Sequence, residues 1–203
     1  MKPETDERLT PAREGRGEVR EKASRFFGMA SRAGGVPEAE SFLERVRREY
    51  HDATHVAFAW KIGAGADQRL RASDAGEPSG TAGKPIALAI EASGLSDVVV
   101  AVVRYFGGTK LGTGGLARAY RQAAARALEA CGVQTVYDTV RLEVRAPFER
   151  LGAVRRLMRP PDVVLVAERF EPDPAIELAV RRSRLASVEA TLTEARIPFV
   201  VRP

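Results

Sequence analysis

Residues 97–120 run DVVVAVVRYFGGTKLGTGGLARAY, and the predicted elements of the first half of the chain are arranged around this segment. Residues 97–106 form a nearly continuous apolar run, which is typical of a strand buried on both faces. Residues 107–115, called here the second glycine loop, lead into a helix that we predict from Leu116 to Cys131. Gly132 suits the carboxyl-terminal end of that helix. The order strand, loop, helix indicates an α+β architecture around one buried strand.

Upstream of this strand, the pattern predicts a tail, a helix and several strands. Residues 1–17 mix charges with Pro and Gly without a hydrophobic period, so we expect a flexible tail there. Phe42, Leu43, Val46 and Tyr50 recur at helical spacing. The predicted elements are a strand at 18–33, a helix at 37–51, strands at 55–62 and 68–72 paired across the turn 63–67, the first glycine loop at 73–85, and a short helix at 86–93.

Downstream of Gly132, the character of the sequence changes. We predict a strand at 136–145, a helix at 147–158, strands at 162–170 and 175–181 joined by the turn 171–174, a helix at 183–195 with Ser183 as its N-cap, and a strand at 199–202. This order is the ferredoxin-like βαββαβ pattern. The sequence therefore predicts a two-domain α+β protein with a boundary near residues 132–135.

The amino-acid composition limits the classes to which the protein can belong. The 203 residues are 44% hydrophobic and 29% charged, an ordinary globular composition long enough for one or two domains. The single cysteine excludes an internal disulfide, and no apolar run approaches the roughly 18 residues of a membrane helix. With no secretory signal in the first residues, we expect a cytoplasmic protein without membrane contact. A net charge of +5 and a pI near 9.7 suit phosphate-rich partners, although a genomic base bias would enrich Arg equally.

The second glycine loop follows a buried strand and opens a helix. Glycine N–H groups and a helix amino terminus at the end of a strand form an arrangement that binds anions. Arg104, Lys110 and Arg118 would supply cations, and Tyr105 would stack on a base. The plainer interpretation is that Tyr105 and Phe106 are core residues and that the glycines only shape a turn. The candidate anion- or nucleic-acid-binding residues are Arg104, Tyr105, Gly107, Gly108, Lys110, Gly112, Gly114, Gly115 and Arg118.

The first glycine loop, SDAGEPSGTAGKP, offers a second candidate anion site. Its glycines let a ligand approach the backbone closely, and exposed N–H groups form an anion-binding nest in such loops. Two hydroxyls and one cation add side-chain donors. The plainer interpretation is a tight connector between a strand and a helix. The candidate residues here are Ser79, Gly80, Thr81, Gly83 and Lys84.

Familiar phosphate motifs do not explain either loop. Residues 112–117 match G-x-G-x-x-A, but these glycines begin well after the strand, and no acidic residue falls about 20 positions later at the end of a second strand. Pro78 occupies the position that the first glycine of a P-loop requires, and Lys84 is followed by Pro85. Neither a dinucleotide fold nor a Walker site is supported.

Catalytic residues are few in this sequence. With two histidines and one cysteine in the chain, we expect no metal site and no cofactor. Ser79 or Thr81 as a nucleophile needs a base, for which His55 is the attractive choice, oriented by Asp74 or Glu77. The weak catalytic candidates are therefore His55, Asp74 and Glu77.

Both glycine loops carry a family resemblance. Residues 74–85 (DAGEPSGTAGKP) and 104–120 (RYFGGTKLGTGGLARAY) closely resemble the paired signatures of the IMPACT/YigZ family, and residues 22–26 and 53–55 also fit its pattern. The resemblance covers about residues 18–130. One departure is Ala75, where the family usually has a second acid, which puts a paired-carboxylate role in doubt.

The resemblance implies a fold for each domain. Residues 18–132 would have the fold of the second domain of ribosomal protein S-five, and residues 133–203 would form a ferredoxin-like domain. Bacterial members look like nucleic-acid- or ribosome-associated proteins.

Three hypotheses for function follow. The leading one is a non-enzymatic RNA- or ribosome-binding protein linked to translation or its regulation, with RNA or the translation machinery as partner. The second is an enzyme acting on a small anionic, phosphorylated substrate held between the two glycine loops. The third is a protein-interaction adaptor in which the loops are purely structural.

Overall fold

A computed structural model describes residues 6–170 and 174–202, which form two α+β units. The first unit is Leu9–Thr135, and the second consists of residues 136–202 together with residues 6–8. The described part of the chain contains no helix with the length and apolar character needed to cross a membrane. The two-domain α+β class predicted from the sequence is confirmed.

A five-stranded antiparallel sheet organises the first unit. In chain order, the elements up to the start of the second unit are β1 (Glu7–Pro11), β2 (Gly15–Glu21), β3 (Ser24–Arg32), α1 (Val36–Glu49), β4 (His55–Ile62), β5 (Arg69–Ser73), α2 (Gly83–Ser93), β6 (Val98–Tyr105), α3 (Gly112–Ala130) and β7 (Val133–Tyr137). The strand order in the sheet is β2-β3-β6-β4-β5, and β1 pairs with β7 in a separate two-stranded sheet. β6 is therefore the central strand.

β6 supplies side chains to two separate cores. Successive side chains of a strand point to opposite faces of the sheet. The even-numbered residues pack with α2 and α3, and the odd-numbered residues pack with α1; in order they are Val98, Val100 and Val102, then Val99, Ala101 and Val103. All six are 0% exposed. The predicted strand with two buried faces is confirmed.

Glycines let α3 lie directly on the β2–β3 hairpin. A Cβ atom added to Gly28 would lie 2.2 Å from the backbone oxygen of Ala123, and one added to Gly15 would lie 2.1 Å from that of Ala127. Because real Cβ atoms do not approach backbone atoms so closely, any larger residue at either position would displace the helix. The hairpin therefore fixes the line along which α3 runs.

The second unit is a four-stranded antiparallel sheet with two helices. Its elements are β8 (Thr139–Arg145), α4 (Leu151–Leu157), β9 (Val163–Arg169), β10 (Ala175–Arg181), α5 (Leu185–Glu194) and β11 (Phe199–Arg202). The strand order is β11-β8-β10-β9. Side chains from the sheet, α4 and α5 share one core. The βαββαβ order and this strand arrangement are the predicted ferredoxin-like topology.

The structure corrects the prediction of a flexible tail at residues 1–17. Within the described residues, β1 begins at Glu7 and β2 at Gly15, and β2 pairs along its whole length with β3. The signal was missed because β2 contains one large apolar residue, Val19, and a strand of charges and glycines shows no hydrophobic period. Residues 1–5 lie outside the described residues.

Several element boundaries also differ from prediction. The strand predicted at 18–33 is a hairpin that turns at Lys22, whose φ of 52° is left-handed, and the strand predicted at 136–145 is divided between β7 and β8. The helix predicted from Leu116 begins at Gly112, and Ser183 does not cap α5, which begins at Leu185 after a 3₁₀ turn. Most of the turn predicted at 171–174 lies outside the described residues.

A carboxylate near the start of the chain is bound within the second unit. Asp6 accepts hydrogen bonds from Arg181 Nη2 at 2.7 Å, from Arg181 Nε at 3.3 Å and from the backbone N–H of Ser183 at 3.0 Å. The side chain of Asp6 is 5% exposed. The hydrogen bond from Arg181 is the largest cause that holds the pKa of Asp6 well below its ordinary value, against the opposing effect of burial.

Replacing Asp6 with Asn should destabilise the second unit. Loss of the charge-assisted bonds to Arg181 should lower its free energy of unfolding by about 2 kcal/mol. A carboxylate with a depressed pKa stabilises fully above its unfolded pKa of about 4, and this contribution is lost as the pH falls below that value. Calorimetric unfolding between pH 7 and 2 should therefore show a larger acid loss for the wild type than for Asp6→Asn. The exposed Glu149→Gln is the control, and equal slopes in all three proteins would contradict the role of Asp6.

Candidate functional site

A cleft of about 460 Å³ lies next to the end of β6, in the first unit. Both glycine loops contribute to its walls, with Glu77 and Pro78 from the first loop and residues 110–113 from the second. The other residues of the wall are Thr54, His55, Arg104, Phe106 and Leu116. The sequence hypothesis of a site between the two loops thus corresponds to a cavity of the size that small ligands occupy.

The first glycine loop is closed around a carboxylate of its own. Asp74 accepts backbone hydrogen bonds from Gly80 at 2.8 Å, Ala82 at 2.9 Å and Gly83 at 2.8 Å. Burial opposes ionisation of this carboxyl group, but the three N–H donors outweigh it and lower the pKa of Asp74. The N–H groups of Gly80 and Gly83, predicted to bind an external anion, are therefore already occupied. Because its carboxylate is engaged at the start of α2, Asp74 also has no free role in catalysis.

The remaining candidates of the first loop do not converge on the cleft. Thr81 is buried, and its hydroxyl donates to the carbonyl oxygen of Pro78 at 2.7 Å, so it is not placed as a nucleophile. Ser79 and Lys84 are exposed and do not line the cleft. Gly83 is needed for packing, since a Cβ there would lie 2.7 Å from the backbone nitrogen of Ser73.

Glu77 is the buried centre of the site. Arg104 Nη1 donates to both of its carboxylate oxygens, at 2.7 and 2.9 Å, and the Tyr120 hydroxyl donates at 2.7 Å. The side chains of Glu77 and Arg104 are 2% and 7% exposed. Burial first, and then the hydrogen bond to Glu77, raise the pKa of Tyr120 far above its ordinary value, so Tyr120 remains a donor. This cluster joins the first loop, β6 and α3.

Arg104 is not the free phosphate ligand that the sequence predicted. Its charge is paired with Glu77, and its guanidinium carbon lies 5.3 Å from the centre of the Phe106 ring. Its Nε atom is buried and has no hydrogen-bond partner in the described part of the chain. Arg104 thus contributes to the cleft wall a fixed, largely neutralised side chain with one unsatisfied N–H group.

His55 has one ring nitrogen fixed by the backbone. The register of β4 against β6 places His55 opposite Arg104. Its Nδ1 atom lies 2.9 Å from the carbonyl oxygen of Ala75, which accepts only, so Nδ1 carries a proton. Nε2 lies 4.0 Å from Glu77 Oε1. In the neutral imidazole, Nε2 is therefore a hydrogen-bond acceptor in a residue that lines the cleft.

The second glycine loop ends in the amino terminus of α3. The helix begins at Gly112 after Leu111, and among the described residues no side chain caps it and no acidic residue stands in its first turn. Lys110, Gly112 and Thr113 line the cleft beside this terminus. Gly114 belongs to the same first turn. The first N–H groups of a helix have no intrahelical acceptor and carry partial positive charge.

Other predicted residues of the second loop have different places. A Cβ on Gly107 would lie 2.0 Å from the backbone of Ala23, and Gly108 has a left-handed φ of 82°, so both shape the loop. Gly115 is buried against Leu111. Arg118 is exposed on α3 and does not line the cleft.

Tyr105 lies on the other face of the sheet. Its ring packs with the core of α1, and its hydroxyl donates to Asp52 at 2.6 Å. That hydrogen bond is the largest cause that raises the pKa of Tyr105 to about 12. Strand alternation separates Tyr105 from its neighbour Arg104, so Tyr105 is not a stacking partner in the cleft.

The sequence predicted no role at this site for Tyr120, Phe106 or Thr54. All three lie within the motifs that carry the family resemblance, but Phe106 was considered only as a possible core residue. Thr54 Oγ1 accepts a hydrogen bond from the backbone N–H of Phe106 at 3.1 Å, which holds the backbone of this residue at the cleft wall. Among the described residues, no group of three or more His, Cys, Asp or Glu side chains is placed to hold a metal ion.

Comparisons with known proteins agree with this fold and these motifs. The Impact N-terminal domain family model matches residues 22–128. The chain belongs to the IMPACT family. It is 34% identical to the Escherichia coli IMPACT family member YigZ over 174 residues, which are 85% of each chain. It is 47% identical over 136 residues to a Thermus thermophilus member, covering 67% of this chain and 72% of that one. A solved structure titled as that of an hypothetical protein has a TM-score of 0.71 at 32% identity, covering 96% of both chains.

Replacing Glu77 with Gln should destabilise the first unit strongly. The substitution leaves the buried guanidinium of Arg104 without its counter-charge, and loss of one partner of a buried pair costs about 3 kcal/mol or more. Unfolding by urea, followed through the fluorescence of Trp60 in the core of α1, should show a lower midpoint. The exposed Glu91→Gln on α2 is the matched control. Equal midpoints for Glu77→Gln and the control would show that the pair contributes little.

Proposed function

We propose that the first unit binds a small anionic, phosphorylated ligand in the cleft between the glycine loops. The observation that carries the proposal is the uncapped, acid-free start of α3 in the wall of a cleft of about 460 Å³. Helix amino termini bind phosphate through their free N–H groups and their partial positive charge.

The charge of the cleft wall favours an anion. Glu77 is neutralised by Arg104. Asp74, the nearby acid of the first loop, is bound by backbone N–H groups. Lys110 and the α3 terminus then remain as the positive groups of the wall. An anionic group placed there would meet attraction without a competing carboxylate.

At the start of α2, the corresponding backbone N–H groups already donate to a side chain of the protein itself. There the Asp74 carboxylate accepts hydrogen bonds from the backbone N–H groups of Ala82 and Gly83. A ligand phosphate at the start of α3 would accept hydrogen bonds from the backbone N–H groups there, as the Asp74 carboxylate does at the start of α2. Because the first loop is held by its own carboxylate, that wall of the cleft is formed before any ligand arrives.

The second candidate is the RNA or ribosome binding that the composition suggested, with a role in translation or its regulation. The observation that favours it is that Lys84, Lys110 and Arg118 are all exposed on or beside the two loops. Arg104 and Tyr105 take no part in this version, since one is paired and the other lies on the opposite face. Backbone phosphates would be contacted on the surface, and affinity would fall steeply with salt.

The two candidates make different predictions for Lys84. Thermal unfolding of the full chain with inorganic phosphate and with ribose 5-phosphate should show saturable stabilisation. Lys110→Ala should raise the dissociation constant of ribose 5-phosphate about fivefold, which corresponds to roughly 1 kcal/mol at a helix terminus. Lys84→Ala, also exposed but outside the cleft wall, should leave it unchanged.

The contrary result would identify the surface candidate. If neither phosphate compound stabilises the protein, and if ribosomal RNA binds with a steep salt dependence that Lys84→Ala and Arg118→Ala weaken, the cleft proposal is wrong. RNA binding should be measured from 50 to 200 mM salt, because affinities at a single salt concentration cannot be compared.

A further inference from the structure

Two features of the cleft wall are not explained by an anionic group alone. The first is Phe106, whose side chain is 46% exposed although it is aromatic. The ring lines the cleft, the backbone N–H of Phe106 is held by Thr54 Oγ1, and the guanidinium of Arg104 lies 5.3 Å from the ring centre. An exposed aromatic ring beside a guanidinium group is a surface on which a nucleobase can stack.

The second feature is the acceptor nitrogen of His55. Because Nδ1 donates to Ala75, the neutral ring presents Nε2 as an acceptor. A phosphate has no donor to offer this nitrogen when it is fully ionised, whereas a hydroxyl group does. The cleft therefore combines a site for an anion, an acceptor for a hydroxyl and a surface for a flat apolar ring.

We infer that the ligand of this cleft is a ribonucleoside 5′-phosphate, either free or at the end of an RNA chain. Its phosphate occupies the start of α3 beside Lys110, a ribose hydroxyl donates to His55 Nε2, and the base stacks on Phe106. Leu116 and Pro78 supply apolar surface for the rest of the molecule. The inference rests on the proposed function, because it assumes that the anion site lies at α3.

Titration of the full chain with matched compounds tests the inference without relying on a variant. AMP should bind at least tenfold more tightly than ribose 5-phosphate, because only AMP carries a base that can stack on Phe106. The 2′,3′-dideoxy analogue of AMP should bind more weakly than AMP, because it lacks the hydroxyl groups that His55 would accept. A short RNA carrying a 5′-phosphate, compared with the same RNA carrying a 5′-hydroxyl, distinguishes a free nucleotide from an RNA end.

Variants assign the stacking surface. Phe106→Leu keeps apolar surface but removes the ring, so it should weaken AMP about tenfold and leave ribose 5-phosphate unchanged. Phe148→Leu, at an exposed phenylalanine of the second unit, is the matched control and should leave both affinities unchanged. Circular dichroism establishes that each variant is folded.

The possible outcomes distinguish failure of the nucleotide inference from failure of the proposed function. If ribose 5-phosphate binds as tightly as AMP and Phe106→Leu changes nothing, the nucleotide inference is overturned and the anion site stands. If AMP and its dideoxy analogue bind equally, the assignment of His55 is wrong. If no phosphate-bearing compound binds, both the inference and the proposed function fall.

Discussion

The first unit depends on one carboxylate that is nearly inaccessible to water. Glu77 comes from a loop, Arg104 from the central strand and Tyr120 from the long helix, so charged and polar contacts join three elements of the unit. A charge buried this deeply is tolerated because its hydrogen bonds replace those of water. The same pairing sets the electrostatics of the cleft, since it engages the arginine and the glutamate of the wall with each other rather than with a ligand. What remains in the wall are Lys110, the backbone N–H groups at the start of α3 and the imidazole of His55.

Much of the architecture could be predicted from local pattern. The valine-rich run of β6 indicated a strand with two buried faces, and the element order after Gly132 indicated the ferredoxin-like topology. Strand alternation could also have separated Arg104 from Tyr105, because neighbouring residues of a strand face opposite sides of the sheet. Treating the two as one constellation was an error that the sequence itself could have prevented. The β2 strand was hidden for a different reason, since one valine among charges and glycines gives no period to detect.

The chemistry of the loops could not be predicted in the same way. Which backbone N–H groups of the first glycine loop are free depends on the orientation of a single carboxylate. Asp74 accepts hydrogen bonds from residues six to nine positions further along the chain. Whether Arg104 is available depends on Glu77, which lies 27 residues away, and on a buried hydroxyl 43 residues from that acid. Glycine content showed that the backbone could bind an anion, but it could not show that one loop already holds an anion of its own. Contacts between residues separated in sequence therefore determine which of the two glycine loops has backbone N–H groups free to bind a ligand.

The bond between Asp6 and Arg181 has a consequence for the timing of synthesis. The two residues are 175 positions apart, so the second unit includes the earliest described residues and some of the last. At typical elongation rates, Asp6 waits on the order of ten seconds or more after its own synthesis before Arg181 exists. During that interval the residues that follow it, 9–135, can complete their own sheet, because their partners are all already made. The side-chain carboxylate of Asp6 is therefore without Arg181 and Ser183 while residues 9–135 complete their sheet, and these late hydrogen bonds join the earliest described residues to residues near the end of the chain.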